Sequence, residues 1–269
     1  PSVGPGSVLG EILQAGVLPT VCLTEIFRQA QKSLIVQNAH RIVSGQMPVR
    51  GKKEDDFFLI ESSGLACQKL VCDLVGTRLP RTYGFDPVRD IQVLCPTKKG
   101  PTGSEELNRR LQAILNPPAP DKPQIVWEQS GRILRLGDKV MQIKNDYDIA
   151  YERTGAEAGV GAYNGDLGII TAVDTDSRSV TVQMDDRKYV YGADQLVELE
   201  PAYAVTVHKS QGSEFSAVIL PLADVPPRLC YRNLLYTGVT RARKLCVIAG
   251  TQRTEQAMVD NVRQNMRYS

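Results

Sequence analysis

Hydrophobic positions recur along this chain with two different periods, and the switches between them divide it into three stretches. Ser33 is suited to cap a helix, and after it Leu34, Ile35, Ala39, Ile42 and Val43 fall at helical spacing, with Gly45 as a stop. Leu65, Leu70, Leu74 and Val75 mark a second amphipathic helix, and Ser104 to Leu115 a third, with Leu107, Leu111 and Ile114 on one face. Between these helices Ile91-Gln92-Val93-Leu94-Cys95, bounded by Asp90 and Pro96, reads as a short buried strand. Helix and strand alternate, which is the order of a parallel-sheet α/β domain.

The proline-rich break from Asn116 to Pro123 ends that order. Lys139 to Ile143, Gly168 to Val173, Ser179 to Met184 and Tyr189 to Tyr191 are short β runs separated by Gly and Asp turns, so the stretch 132–200 predicts a small β-barrel. The α/β order then returns, with strands expected at Ala202 to Val207, Ala217 to Leu222 and Leu245 to Ala249 and a helical stretch from Tyr231 to Arg243. The expected organisation is a sheet domain whose first part is 1–131 and second part 201–269, with the barrel inserted between them.

Composition narrows the chemistry. The chain has 269 residues, 42% of them hydrophobic, and no run approaches the ~20 apolar residues of a membrane span. Six cysteines are scattered without a C-x-x-C pair and there are two histidines, which argues against a disulfide framework or a zinc site and for a reducing, cytoplasmic setting. A net charge of +2 excludes a whole-surface polyanion binder and leaves room for a local basic groove. The opening Pro1-Ser2-Val3-Gly4-Pro5-Gly6 reads as a loop between elements, so a piece of a longer polypeptide is expected.

A nucleotide hydrolase that stands alone needs G-x-x-x-x-G-K-[ST] to cradle phosphates and hold magnesium. No such string occurs. Gly45, Gly51 and Lys52 come nearest, with one residue too many between the glycines and Lys53 in the hydroxyl position. Val180 to Asp186 imitates a magnesium-binding strand end, but Asp185 and Asp186 separate two β runs and read better as a hairpin turn. The most specific string is Thr206-Val207-His208-Lys209-Ser210-Gln211-Gly212-Ser213-Glu214-Phe215, a polar loop between apolar runs. It resembles motif V of superfamily 1 helicases. Leu23 to Gln29 looks like motif IV and Asn233 to Arg243 like motif VI, in the same order. Pro1 to Gly6, Phe27-Arg28-Gln29, Pro96 to Pro101 and Lys144-Asn145-Asp146-Tyr147 make the likeness closest to the RecD-like members, over nearly the whole chain.

That resemblance implies a RecA-like second motor domain with an SH3-like insertion beside the DNA strand, in an ATP-dependent DNA helicase moving 5′ to 3′. Arg28 and Arg241 match the positions that reach the γ-phosphate, where a planar guanidinium stabilises charge spread over the transferred group. Glu214 matches a contact to the nucleotide sugar, Gly212 allows close backbone approach, and Gln211 is a further nucleotide-side candidate. Thr206 and His208 match DNA-facing positions, with Lys209 beside them. Thr97, Lys98 and Lys99 end the Ile91 to Cys95 strand with a hydroxyl and two cations; they suit either phosphate contact or a capped turn with solvated lysines. Tyr147, Tyr163 and Asn164 could meet a strand from the barrel or serve as its rim. Trp127 reads as packing, His40 as helix surface and Glu54-Asp55-Asp56 as a solvated loop. The Walker lysine and the acidic pair for Mg2+ are absent. ATP and Mg2+ are therefore expected in a preceding RecA-like domain, and this chain alone is expected to be inactive. The rival readings are a non-catalytic single-stranded-DNA-binding or partner-docking module, and the helicase segment of a conjugative relaxase.

Overall fold

The computed structural model describes residues 8–21, 32–127, 131–155 and 157–262. Along the chain these form α1 (Val8–Ala15), α2 (Leu34–Val43), β1 (Phe57–Glu61), α3 (Gly64–Asp73), a π-turn at Leu74–Arg78, α4 (Leu79–Tyr83), β2 (Ile91–Cys95) and α5 (Ser104–Leu115). An all-β stretch follows: β3 (Gln124–Trp127), β4 (Arg132–Arg135), β5 (Lys139–Gln142), β6 (Asp146–Arg153), β7 (Gly159–Ala162), β8 (Leu167–Asp174), β9 (Ser179–Met184), β10 (Arg187–Tyr191) and β11 (Leu199–Pro201). The chain closes with β12 (Ala204–Thr206), β13 (Phe215–Leu222), α6 (Arg232–Val239), β14 (Ala242–Gly250) and α7 (Gln252–Asp260). These elements divide into two compact units, one of residues 1–71, 90–104 and 206–269 and the other of 72–89 and 105–205.

The first unit is built on the strands β1, β14, β13 and β2, which neighbour one another in that order. The pairings of β1 with β14, β14 with β13 and β13 with β2 are all parallel. Each residue of β2 is buried, as are the last six of β13 and of β14, which is why these strands read as continuous apolar runs without alternation. Ser33 caps α2 as expected, accepting from the Val36 amide, and Gly45 beyond the helix has φ +76°.

Three local expectations change. Asp56 is not a solvated loop residue: its carboxylate accepts from Ser33 Oγ at 2.5 Å and from the Ile35 amide at 3.1 Å, so it anchors the start of α2. Ile114 leaves the buried face of α5, at 50% exposure against none for Leu107 and Leu111. The helix expected to reach Arg243 ends at Val239, because Thr240 and Arg241 turn the chain into β14.

The second unit holds α4, nearly all of α5 and an antiparallel sheet of order β11-β5-β8-β9-β10-β6-β7, with the β3–β4 hairpin beside that sheet in sequence. Here the period of two is explicit: Val180, Val182 and Met184 on β9 and Tyr189 and Tyr191 on β10 face one core. The buried tyrosine hydroxyls are satisfied, Tyr189 donating to the Gly161 carbonyl and Tyr191 to Gln142 Oε1. Trp127 packs on this core beneath the Arg132 guanidinium. Asp185 and Asp186 form the β9–β10 hairpin turn, Asp185 at φ +50°. The architecture is thus a parallel-sheet RecA-like α/β core interrupted by a small SH3-like β domain.

Candidate functional site

Because the paired strands of the first sheet are parallel, their amino ends share one edge and their carboxyl ends the other. The connection from β13 to β14 leaves from the carboxyl edge, and α6 carries it back to the amino edge. Over eight residues α6 spans about 12 Å. The loop from Val207 to Glu214 is bonded to both ends of this helix. At the first end the Tyr231 hydroxyl, just before α6, lies 3.2 Å from His208 Nε2. At the other, Arg241 Nη1 donates to the Ser213 carbonyl at 3.0 Å and the Phe215 amide donates to the Arg241 carbonyl at 2.8 Å.

The loop folds itself tightly. Val207–Ser210 is one 3-10 turn, closed by the buried Ser210 hydroxyl donating to the Val207 carbonyl at 2.8 Å. The Ser213 amide then returns to the Ser210 carbonyl at 3.1 Å. Between them Gly212 has φ +84°, a conformation side-chain-bearing residues avoid, and a methyl group there would meet nothing within 4 Å. The glycine answers a backbone need and leaves open space in front of the loop. Gln211, Gly212 and Glu214 are exposed; Glu214 has Arg243 at 3.7 Å.

Arg241 donates three side-chain hydrogen bonds. Besides Ser213, its Nε donates to the Thr237 carbonyl at 3.3 Å and its Nη2 to Thr240 Oγ1 at 3.3 Å. All three acceptors are neutral, so these bonds fix the guanidinium without neutralising it, and its charge remains available to an anion. Arg28, the other expected γ-phosphate arginine, lies outside the described residues.

Thr206, His208 and Lys209 are half-buried at the start of the loop. Thr97, Lys98 and Lys99 follow β2 at the carboxyl edge of the sheet. Thr97 Oγ1 donates to the Lys99 carbonyl at 3.3 Å and the Thr97 carbonyl accepts the Ser104 amide at 3.1 Å, so the segment is a capped turn that holds two exposed lysines outward. The candidates thus separate along α6: His208 is tied to the end that comes from the carboxyl edge, and Ser213, Glu214 and Arg241 to the end that leads into β14. Sequence reasoning passed over Tyr231, whose lone position carries no spacing signal. In the β domain, the exposed Tyr147 and Tyr163 meet edge to face with centroids 6.1 Å apart, braced by Asn145, which donates to the Tyr147 hydroxyl and accepts the Asn164 amide.

The Walker look-alike at Gly51 and Lys52 has a structural explanation. Gly51 donates its amide to the Phe57 carbonyl, and a Cβ there would lie 2.1 Å from that oxygen; the Lys52 amide donates to Asp55 Oδ2. Among the described residues no helix is long and apolar enough to cross a membrane.

Comparison with known proteins agrees with this architecture. Residues 107–184 match the SH3 domain of ATP-dependent RecD-like DNA helicases, and residues 201–249 match the UvrD-like helicase C-terminal domain. The ATP-dependent RecD2 DNA helicase of Deinococcus radiodurans is 34% identical over 255 residues, 93% of this chain and 31% of that protein. The RecBCD enzyme subunit RecD of Mycobacterium tuberculosis is 33% identical over 168 residues, 62% of this chain and 26% of that protein. The chain therefore spans about a third or less of the length of these relatives. A chain from a structure of two coordinating Pif1 helicases unwinding forked double-stranded DNA superposes with a TM-score of 0.50 at 21% identity, over 88% of this chain and 51% of that one, a likeness of fold alone. The parallel sheet, the loop before β13 and these matches define the C-terminal part of a superfamily 1 helicase. Within that superfamily the chain is similar to the C-terminal part of the RecD-like helicases.

Proposed function

We propose that this chain is the C-terminal motor half of an ATP-dependent DNA helicase that moves 5′ to 3′ on single-stranded DNA. Residues 1–131 and 201–269 form the motor domain and 132–200 the SH3-like insertion. Its partner is a RecA-like domain carrying the Walker loop and the magnesium ligands. The observation that carries this reading is Arg241, held by three neutral acceptors at the end of a loop whose Gln211, Gly212 and Glu214 are exposed, with open space in front of Gly212. Such a surface suits a polyphosphate edge: a fixed, uncompensated guanidinium for the γ-phosphate, a glycine that admits close approach, and a carboxylate for a sugar hydroxyl. When bound, ATP supplies the phosphoryl group whose hydrolysis drives stepping. Arg28 is the second arginine of this proposal. Thr206, His208 and Lys209, with Thr97, Lys98 and Lys99, would hold strand phosphates at the other end of α6, a sequence-tolerant mode suited to translocation.

Joining the chain to its ATP-binding half tests the proposal. Hydrolysis stimulated by single-stranded DNA is expected, lost in Arg28→Ala and in Arg241→Ala, and undetectable with this chain alone. Full activity in both variants would favour a binding or docking module.

A further inference from the structure

We propose that Tyr231 is a positioning residue that couples strand contact at His208 to Arg241 through α6; the inference rests on the functional reading above. The geometry is a latch at each end of one rigid rod. At the near end the Tyr231 hydroxyl is 3.2 Å from His208 Nε2, in a part-buried setting. At the far end Arg241 grips Ser213, five residues after His208 in the same loop. A displacement of His208 is therefore passed to Arg241 by two routes, along the loop and along the helix.

The helix is seated firmly enough to transmit it. Leu234, Leu235 and Val239 are buried, and Gly238 lies so close to β13 that a Cβ would fall 2.6 Å from Leu220 Cδ2. The amino end of α6 is pinned by neighbours on both sides. Arg232 Nε donates to the Val259 carbonyl at 2.7 Å, its Nη1 to the Val43 carbonyl at 3.4 Å, and its amide to the Asn261 carbonyl at 2.9 Å. Asn261 Nδ2 in turn donates to the Cys230 carbonyl at 2.6 Å, fixing the residue before Tyr231. The tyrosine thus presents its hydroxyl from an anchored backbone, while His208 sits half-buried on a loop whose Gln211 and Gly212 are exposed. Packed elements of this kind carry coupling only if both sites bias the same element, and a mutant cycle measures that directly.

The test uses the chain joined to its ATP-binding half, with an oligothymidylate strand as the probe. Hydrolysis rates with and without the strand are compared for the wild type, Tyr231→Phe, His208→Ala and the double variant. Tyr231→Phe keeps the ring and removes only the hydroxyl. Its ratio of stimulated to unstimulated rate is expected to fall about fivefold, the factor carried by one ordinary hydrogen bond, with the KM for ATP unchanged. The double variant is expected to lose no more than His208→Ala alone. A wild-type ratio in Tyr231→Phe overturns the coupling, as does an equal drop in both rates or a multiplicative loss in the double variant. A wild type that the strand does not stimulate overturns the functional reading and the coupling together, an outcome visible before any variant is made.

Discussion

Arg241 and Ser213 are joined by a 3.0 Å hydrogen bond from guanidinium to carbonyl, so the arginine proposed to meet the γ-phosphate also holds the loop proposed to meet the nucleotide edge. Two consequences of its removal separate. Arg241→Lys keeps the charge but cannot reproduce three bonds from one planar group. Single-turnover hydrolysis by the chain joined to its ATP-binding half is expected to fall about 10³-fold or more in both Arg241→Lys and Arg241→Ala, the scale of a lost arginine finger. ATP affinity should change only a few-fold. A loss confined to affinity would instead mean that the residue only shapes the loop.

Lys98 and Lys99 stand exposed on a turn whose bonds from Thr97 Oγ1 to the Lys99 carbonyl and from the Ser104 amide to the Thr97 carbonyl use neither lysine side chain, so truncating the two side chains tests phosphate contact. Binding of a single strand followed by anisotropy across a salt series is expected to lose about 1.4 from its log–log slope in the double alanine variant, roughly 0.7 for each phosphate released. An unchanged slope leaves the two lysines as solvated residues of a capped turn.

How far the fold can be read from the chain follows from how local its determinants are. Ser33, Leu34, Ile35, Ala39 and Ile42 specify α2 within one short window, and β9 and β10 alternate visibly between buried and open positions. β1 is different: Phe57 to Ile60 is a four-residue apolar run at the sheet edge, and only its parallel pairing with β14, far along the chain, makes it a strand. Asp56 looks solvated until α2 is folded over it, and Ile114 looks buried until the neighbours of α5 are known. The site divides the same way. The loop from Thr206 to Phe215 announces itself as a contiguous string, whereas Tyr231 matters only because folding brings it to His208 from 23 positions away.

Gly51 and Lys52 offer a test of the Walker resemblance. Gly51 lies against the first residue of β1, where a Cβ would fall 2.1 Å from the Phe57 carbonyl oxygen. Gly51→Ala must push the backbone apart and is expected to destabilise the chain by about 2–3 kcal/mol, read from chemical denaturation. Lys52→Ala, in contrast, should leave hydrolysis by the joined halves within about twofold of wild type, because the amide that Lys52 gives to Asp55 is retained. A large hydrolysis defect in Lys52→Ala would restore the phosphate-binding reading.

Asp138 is the hub of the second unit. One carboxylate oxygen accepts from Asn116 Nδ2 at 2.7 Å and the Tyr203 hydroxyl at 2.9 Å, the other from Gln112 Nε2 at 2.6 Å and the Arg135 amide at 2.7 Å. It clasps α5, the β4–β5 turn and the residue that leads into β12, all buried. Since each oxygen already takes two donors, Asp138→Asn must turn an NH2 group against two of them in either orientation. Both Asp138→Asn and Asp138→Ala are therefore expected to cost about 3–5 kcal/mol in denaturant unfolding. An asparagine variant as stable as wild type would show that the charge and its second pair of acceptor sites are dispensable.

Glu255 makes stability depend on pH near neutrality. It is 2% exposed on α7, and among the described residues its Oε1 has no hydrogen-bond partner. Burial pushes the carboxyl up to about 7, with Arg50 opposing the shift and Glu61 adding to it. Arg50 is itself engaged by Gln252 Oε1 at 3.0 Å and lies 4.0 Å from Glu61, so it is shared among these groups. A carboxyl whose folded pKa lies above its unfolded value binds its proton more tightly in the native state. Its contribution is full below the unfolded value of 4.5 and is lost as pH rises through about 7, on the order of 3 kcal/mol in all. Thermal unfolding from about pH 5 to about pH 8 should therefore show the wild type losing stability with rising pH, while Glu255→Gln, which cannot ionise, holds a flatter course and melts about 5–10 °C higher at the alkaline end. Parallel curves for the two proteins would place the titrating group elsewhere.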